Sequence, residues 1–303
     1  MKGIILAGGL GTRLYPLTKY TSKHLLPIND KPMVYYPLST LMLSGIKEIA
    51  LVSTGKDLPN YKKLLGDGSQ WGINISFIEQ TKPRGIADVF LVCEDFIANS
   101  PVSLILGDNI FHGNLRLDDV FSDFSEGALI FAYSVNDPQN FGVVVFDEQG
   151  EIIDLIEKPD KPISNYAIPG FYIYDENVVN YAKQLVPSPR GELEITDLNK
   201  MYFEKKALNL RIMGRGIAWL DTGNIANLQE ASVFINSVEK MQSNKIGCPE
   251  EIAFRKGYIT HQELSNLIED IPDCEYKNYI SKFAEDIQTS QSDFLSNIDK
   301  LQP

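Results

Sequence analysis

The sequence predicts an α/β fold with a mostly parallel, partly mixed sheet, flanking helices and a helical C-terminal appendage. Three observations support this prediction. Apolar strand-like runs alternate with helical patterns through the first half of the chain, which is typical of parallel sheets covered by helices. From about residue 127 the strand-like runs come closer together, as expected for added antiparallel strands. After residue 223 the pattern becomes helical.

The first half of the chain predicts four strands and three helices. The strands are expected at 2–7, 48–54, 73–80 and 102–108. The helices are expected at 32–45, 57–65 and 85–96, with Pro32 in a first turn, Gly45 as a stop and Asp57 as a cap. Ligands of such sheets bind beyond the carboxyl ends of the strands, so a site is expected there.

The second half predicts shorter connections and then helices. Strands are expected at 128–135, 141–147, 151–157, 169–175, 210–214 and 217–221, with helices at 176–184 and 192–205. We therefore predict an α/β domain over residues 1–221, with halves at about 1–126 and 127–221. A helical appendage over residues 222–303 is expected to pack on the same compact unit or to contact another subunit.

Composition excludes several classes of function. The 303 residues carry a net charge of −12, which argues against a nucleic-acid-binding surface. No run approaches the roughly 20 apolar residues of a membrane span, so no membrane partner is predicted. Three cysteines without metal-like or disulfide-like spacing predict reduced thiols and a cytoplasmic protein.

A glycine-rich loop follows the first strand and admits three interpretations. A dinucleotide-binding fingerprint fails because Leu14 stands in place of the third glycine and the second strand ends at Thr54 without a carboxylate. A Walker A loop fails because no Gly-Lys-Ser/Thr follows. The third interpretation is a loop that binds nucleotide phosphates through its backbone, and a plain turn is the alternative. We favour the phosphate loop because one 16-residue stretch contains Gly8, Gly9, Gly11, Thr12, Arg13 and Lys23.

Two aspartates far apart in the sequence each end an apolar strand-like run. Asp108 ends the run at 102–108, and Asp221 ends the run at 217–221. Carboxylates that converge on triphosphate oxygens suit Mg²⁺, which prefers oxygen ligands. The alternative is that each aspartate caps a turn. We favour metal binding because the same chain contains a phosphate loop.

Several motifs in register carry a family resemblance. The chain resembles the sugar-phosphate nucleotidylyltransferases at GGLGTRL, SK and LP near its N-terminus, and it is similar to the bacterial glucose-1-phosphate thymidylyltransferases over roughly residues 2–260. The motifs that carry the likeness are KPM (31–33), LGDG (65–68), LGDN (106–109), EKP (157–159), GELEIT (191–196), WLDTG (219–223) and CPEEIA (248–253).

This resemblance implies a reaction and its requirements. Glucose 1-phosphate and dTTP would give dTDP-glucose and pyrophosphate with Mg²⁺, as a first step toward dTDP-deoxysugars such as dTDP-rhamnose. The first half would be a Rossmann-like nucleotide-binding unit, and the second half would bind the sugar phosphate. The resemblance also implies a homotetramer with an end-product feedback site between subunits.

The resemblance also implies roles for individual residues. Arg13, Lys23 and Lys158 would be the catalytic cations, with Lys158 on the sugar phosphate. Gln80 and Gly85 would face the base, and Glu157 would bind a sugar hydroxyl. The other residues that we predict to contact substrate are His24, Asn109, Gly142, Gly170 and Glu194.

The chain departs from the family pattern at a few positions. Histidine and aspartate stand at His24 and Asp88, where the family commonly has glutamine. Val145 and the pair at 224–225 also differ. The departures near the nucleotide or the sugar bear on base and sugar selectivity. Three other functions stay open: a sister nucleotidylyltransferase with another base or sugar, a catalytically silent nucleotide-sugar sensor, and an NAD-dependent oxidoreductase.

Overall fold

The structure is a computed structural model that describes residues 1–9 and 11–299, with side chains as far as residue 287. Leu10 of the glycine-rich loop and residues 300–303 of the predicted appendage lie outside the described residues. Among the described residues, no helix combines the length and the apolar character needed to cross a bilayer.

The first half of the chain forms the parallel part of a sheet. Strand β1 lies between β4 and β6, β5 follows β4, and all four strands are parallel. Their carboxyl ends therefore meet at one edge, as predicted. The elements of this half are β1 (Lys2–Leu6), β2 (Pro27–Ile28), β3 (Lys31–Pro32), α1 (Tyr35–Leu43), β4 (Glu48–Ser53), α2 (Leu58–Leu65), β5 (Asn74–Glu79), α3 (Asp88–Val92), α4 (Glu94–Ile97), β6 (Val102–Leu106), β7 (Asn109–His112) and α5 (Leu117–Asp123).

The second half extends the same sheet with antiparallel strands. The order is β10-β9-β11-β8-β12-β6-β1-β4-β5, and β13 pairs with β8 in parallel. Strand β12 joins the two halves because it is antiparallel to both β6 and β8. The predicted mixed sheet is confirmed. The elements are β8 (Ala128–Ser134), β9 (Gly142–Phe146), β10 (Ile152–Glu157), β11 (Tyr166–Ala167), β12 (Phe171–Tyr174), α6 (Val178–Ala182), α7 (Ile195–Glu204), β13 (Leu208–Ile212) and β14 (Ala218–Asp221).

The structure corrects four local expectations. Pro32 does not start a helix, because it pairs with Pro27 in the β2–β3 hairpin and α1 begins only at Tyr35. The predicted helix at 85–96 is two short helices that meet at Cys93. Asp57 precedes α2 without capping it, since its carboxylate accepts the Thr54 hydroxyl at 2.8 Å. Strand β7 was not predicted at all.

Four helices complete the described chain: α8 (Ile225–Gln242), α9 (Pro249–Arg255), α10 (His261–Asp270) and α11 (Glu275–Asp299). They confirm the helical C-terminal pattern. Apolar residues of α9, α10 and α11, such as Ile252 and Leu264, belong to one core cluster with Leu38 of α1 and Trp71. The Trp71 indole also donates to the Glu250 carboxylate at 3.2 Å. The division of the chain at residue 221 stays a prediction.

Candidate active site

An open cleft of about 150 Å³ lies beyond the carboxyl end of β6 and against β9, β10 and β14. It brings together eight residues that the sequence singled out, although they come from distant parts of the chain. These residues are Arg13, Asp108, Asn109, Gly142, Glu157, Lys158, Gly170 and Asp221.

The two aspartates meet because β14 pairs with β7. Asp108 immediately precedes β7, and Asp221 ends β14 opposite Asn109. The next residue, Thr222, fixes this arrangement, since its backbone N–H and its hydroxyl donate to the Asp108 carbonyl at 3.0 and 2.8 Å. The missed strand β7 is therefore the element that places both carboxylates in one cleft.

The charges in the cleft are unevenly balanced. Burial raises the pKa of Asp108, but the Lys23 ammonium in contact with it outweighs this effect and holds the pKa below its ordinary value of 3.8. Burial and then the charge of Asp108 raise the pKa of Asp221, against the opposing effect of Lys23 and Arg13. A second negative charge here is therefore costly until another cation enters the cleft.

The glycine-rich loop folds back on the residues that follow it. Gly11 has a left-handed φ of +58°, and its carbonyl accepts the Thr18 hydroxyl at 2.8 Å. A Cβ at Gly11 would lie 2.8 Å from the Thr18 methyl group. Gly9 and Thr12 are exposed, and a Cβ at Gly9 would meet nothing within 4 Å. This part of the loop is open to a ligand.

His24, which we predict to contact substrate, is almost completely buried in the structure. The residue is only 1% exposed, and its Nδ1 lies 3.3 Å from both the Ser22 and the Tyr61 hydroxyls. Burial and then the neighbouring Lys23 lower the pKa of His24 to about 3, so the ring is neutral. It lies under the glycine-rich loop, with a backbone hydrogen bond to Ala7. His24 therefore supports the loop from inside.

Gln80, which we predict to face the base, follows β5 at the carboxyl edge of the sheet. Its Nε2 donates to Asp88 Oδ2 at 3.1 Å. The other oxygen, Oδ1, accepts from Arg84 Nε at 3.1 Å and from Arg84 NH2 at 2.7 Å. Gln80 and Asp88 are buried at 5% and 1% exposure. The sequence marks Asp88 only as a departure from the family pattern, and no motif indicates Arg84.

Gly85 is required by a close approach of two backbones. Its φ is +102°, and a Cβ would lie 2.4 Å from the Leu193 carbonyl oxygen. Leu193 N–H in turn donates to the Arg84 carbonyl at 2.6 Å. This contact holds the segment before α3 against the chain that leads into α7.

We expect Gly85→Ala to lower the free energy of unfolding by at least about 2 kcal/mol, because a left-handed backbone and a backbone clash add together. Gly150→Ala is the matched control, since φ there is +85° but a Cβ would meet nothing within 4 Å. It should cost only about 1 kcal/mol. Urea unfolding of both variants measures the difference, and equal losses would show that the Leu193 contact has no effect.

On the opposite side of the cleft, Glu157 is held by three groups. Thr196 Oγ1 donates to its Oε2 at 2.5 Å, and Arg190 donates to its Oε1 at 3.3 Å. Lys158 Nζ lies 3.6 Å from the same carboxylate and is 40% exposed. Gly142 leaves room for this group, since a Cβ there would lie 3.1 Å from Glu157 Oε2.

Asn109 and Glu194, which we also predict to contact substrate, form hydrogen bonds with other residues of the protein. Asn109 Oδ1 accepts from Gly170 N–H at 3.0 Å and from the Trp219 indole at 2.6 Å, while its Nδ2 donates to Asp108 at 3.0 Å. Glu194 is 6% exposed and accepts from Arg190 at 2.8 Å and from Ser188 at 2.7 Å. These residues brace the cleft. Arg190 was not predicted as a site residue, although this arginine directly precedes the GELEIT motif.

The cleft thus combines cations at both sides with a pair of half-buried carboxylates, and Arg13 connects it to the open glycine-rich loop. Such a site can hold two phosphate-bearing ligands and neutralise their charge. A family model described as nucleotidyl transferase matches residues 2–238, which is more than half of the chain. The chain belongs to the nucleotidyl transferase family.

Curated relatives of this nucleotidyl transferase confirm the resemblance that the motifs carry. A glucose-1-phosphate thymidylyltransferase of Xanthomonas campestris pv. campestris is 50% identical over 285 residues, covering 93% of this chain and 97% of the relative. The enzyme of the same name from Neisseria meningitidis is 49% identical over 282 residues, covering 92% and 98%.

Solved structures confirm the fold of this nucleotidyl transferase. A glucose-1-phosphate thymidylyltransferase structure from Bacillus anthracis, in complex with sucrose, matches with a TM-score of 0.72 and 42% identity, covering 77% of this chain and 94% of that one. A UDP-glucose pyrophosphorylase complexed with UDP-glucose matches with a TM-score of 0.67 and 25% identity, covering 79% and 98%.

Proposed function

We propose that this nucleotidyl transferase transfers a thymidylyl group from dTTP to α-D-glucose 1-phosphate, giving dTDP-glucose and pyrophosphate. One observation carries the proposal: a single cleft is lined by Arg13, the Asp108 and Asp221 carboxylates, and the pair Glu157 and Lys158. The names of the relatives that are 45 to 50% identical support the choice of base and sugar.

In this proposal the two ends of the cleft hold the two reactants. The glycine-rich loop with Arg13 and Lys23 binds the triphosphate. Lys158 binds the phosphate of the sugar, and Glu157 accepts a hydrogen bond from a sugar hydroxyl. Gln80 faces the base, and the backbone at Gly85, Gly142 and Gly170 lies close to the ligands.

The chemical step needs no general base from the protein. A sugar phosphate already carries most of its second negative charge near neutral pH, since the second pKa of a phosphate monoester is about 6. One of its oxygens attacks the α-phosphorus of dTTP, a new P–O bond forms, and the bond to pyrophosphate breaks. The barrier is the approach of two anions. The cations therefore contribute by aligning the reactants and neutralising their charge.

The carboxylate pair fits a magnesium ion. Asp108 and Asp221 offer oxygen ligands, and burial and then the charge of Asp108 raise the pKa of Asp221, so an added cation would favour the ionised pair. Within the described part of the chain, no group of three or more His, Cys, Asp or Glu side chains could hold a metal ion. Triphosphate oxygens and water would complete the coordination. When bound, Mg²⁺ supplies charge neutralisation on the triphosphate.

We also propose the organisation that the sequence predicts. Residues 1–126 form the nucleotide half, residues 127–221 form the sugar-phosphate half, and the C-terminal helices serve assembly into a homotetramer. Cys93, Cys248 and Cys274 are free thiols, which supports a reducing, cytoplasmic location.

The proposal is tested by pyrophosphate release with Mg²⁺, crossing dTTP, UTP, CTP, ATP and GTP with glucose 1-phosphate and other sugar 1-phosphates. We expect the fastest turnover with dTTP and glucose 1-phosphate. Preference for another pair would identify a sister activity, which the match to UDP-glucose pyrophosphorylase makes the second candidate. Silence with every pair would favour a nucleotide-sugar sensor, and a bound nicotinamide cofactor would favour an oxidoreductase.

A further inference from the structure

A chain of three polar side chains lies at the carboxyl end of β5, with Gln80 and Asp88 buried and Arg84 exposed. The Asp88 carboxylate receives Gln80 Nε2 on one oxygen and the Arg84 guanidinium on the other. A carboxylate oxygen only accepts hydrogen bonds, and a glutamine amide has one accepting and one donating end. Asp88 therefore fixes the direction of the Gln80 amide.

The accepting end of Gln80 is turned away from Asp88. A Cβ at Gly8 would lie 2.9 Å from Gln80 Oε1, so this oxygen packs against the first glycine of the loop after β1. Gln80 thus presents a carbonyl oxygen at the mouth of the proposed nucleotide site. Leaving a buried polar group without a partner is costly. The direction of the Gln80 amide therefore decides whether the base must offer it a hydrogen-bond donor or an acceptor.

We propose that Asp88 is a positioning residue that sets base selectivity by holding the Gln80 carbonyl oxygen toward the base. This inference rests on the proposed function, in which Gln80 faces the base. Thymine and uracil carry an N3–H donor that matches the oxygen. Cytosine has an accepting N3 that would oppose it.

Arg84 makes an isosteric substitution informative. In Asp88→Asn the guanidinium, which only donates, requires the asparagine oxygen for itself. The asparagine amide nitrogen then faces Gln80, and Gln80 must turn its own oxygen inward to accept it. The Gln80 nitrogen would now point to the base. The substitution should therefore lower the preference for thymine over cytosine with little change in shape.

The experiment compares dTTP with dCTP, both with glucose 1-phosphate. The readouts are kcat/KM for turnover and Kd for each nucleotide with Mg²⁺. For Asp88→Asn we expect the preference for dTTP over dCTP to fall by roughly ten- to a hundredfold, as one buried hydrogen bond is exchanged for a mismatch. Arg84→Met keeps the Asp88 carboxylate and should keep the preference. The double variant frees the asparagine to rotate and should recover part of it.

Three results would overturn the inference. Asp88→Asn could retain the full preference while remaining folded by thermal unfolding. Arg84→Met could lose as much preference as Asp88→Asn, which would indicate a merely structural role. The native protein could also accept dCTP as well as dTTP, a result that needs no folded variant.

Failure of the proposed function gives a different pattern. A native protein that binds dTTP but shows no turnover contradicts the proposed function, while the Kd ratios still test Asp88. A protein that binds neither nucleotide overturns both.

Discussion

Asp221→Asn is expected to lower kcat by about two to three orders of magnitude, the usual cost of losing one group that stabilises charge in a transition state. The substitution keeps the shape of the side chain and removes the charge that lies beside Asp108. Pyrophosphate release at saturating dTTP, glucose 1-phosphate and Mg²⁺ measures the loss. A smaller loss that high Mg²⁺ restores would still place Asp221 on the metal.

The same variant should not lose stability in the absence of ligands. The pKa of Asp221 is raised in the folded chain by burial and by Asp108, so its carboxyl group stabilises the fold only when protonated. That contribution is present below its ordinary pKa of 3.8 and is lost as the pH rises through the raised value. Asp221→Asn should therefore match the native protein at low pH and exceed it at pH 7 to 8 in thermal unfolding.

Asp273→Asn is the control for charge alone, because the Asp273 side chain is 99% exposed and its ion pair among the described side chains is with Lys277, at 3.2 Å. It should keep both activity and stability. An Asp221→Asn protein that turns over at the native rate would remove Asp221 from the metal site. One that is less stable at pH 8 than the native protein would contradict the charge balance described for the cleft.

Lys158→Ala is expected to lower kcat/KM for glucose 1-phosphate by about ten- to a hundredfold, since one charge-assisted contact to phosphate is lost. The Lys158 backbone is held in place, because its N–H donates to the Phe141 carbonyl at 3.0 Å. Truncation should therefore remove the ammonium group without moving the strand. The measurement is initial-rate kinetics with each substrate varied in turn.

Lys161→Ala offers a matched control because this lysine is exposed three residues further along. It should leave both KM values unchanged. A Lys158 variant with a raised KM for dTTP and an unchanged KM for the sugar phosphate would place Lys158 on the nucleotide. Equal effects of Lys158→Ala and Lys161→Ala would show that Lys158 contributes only to the general surface charge.

The order of strands and helices could be predicted where apolar periodicity is strong. The four parallel strands β1, β4, β5 and β6 follow directly from it. Strand β7 could not be predicted, because its four residues follow a turn and its partner β14 lies more than a hundred residues later. Pro32 was misjudged for a related reason: its hairpin pairing with Pro27 overrides a helical pattern.

Site residues show the same limit. The meeting of Asp108 and Asp221 at the sheet edge was predictable, because Asp221 ends β14 and Asp108 lies two residues beyond the end of β6. The burial of His24 could not be predicted, because its partners Ser22 and Tyr61 surround it only in the folded chain. Arg190 and Arg84 were missed since a lone arginine in a polar segment carries no pattern. Only the fold shows that each one faces carboxylates beside the cleft.

Because α1 and the C-terminal helices share one core, the positions at which this chain can be truncated or fused are restricted. The family match ends at residue 238, yet Ile252, Leu264 and Ile280 pack in the same cluster as Leu38 and Trp71. A fragment that ends at residue 238 would lack these three residues and would expose the remaining apolar residues of the cluster to water. A fragment that keeps this core intact must therefore extend into α11.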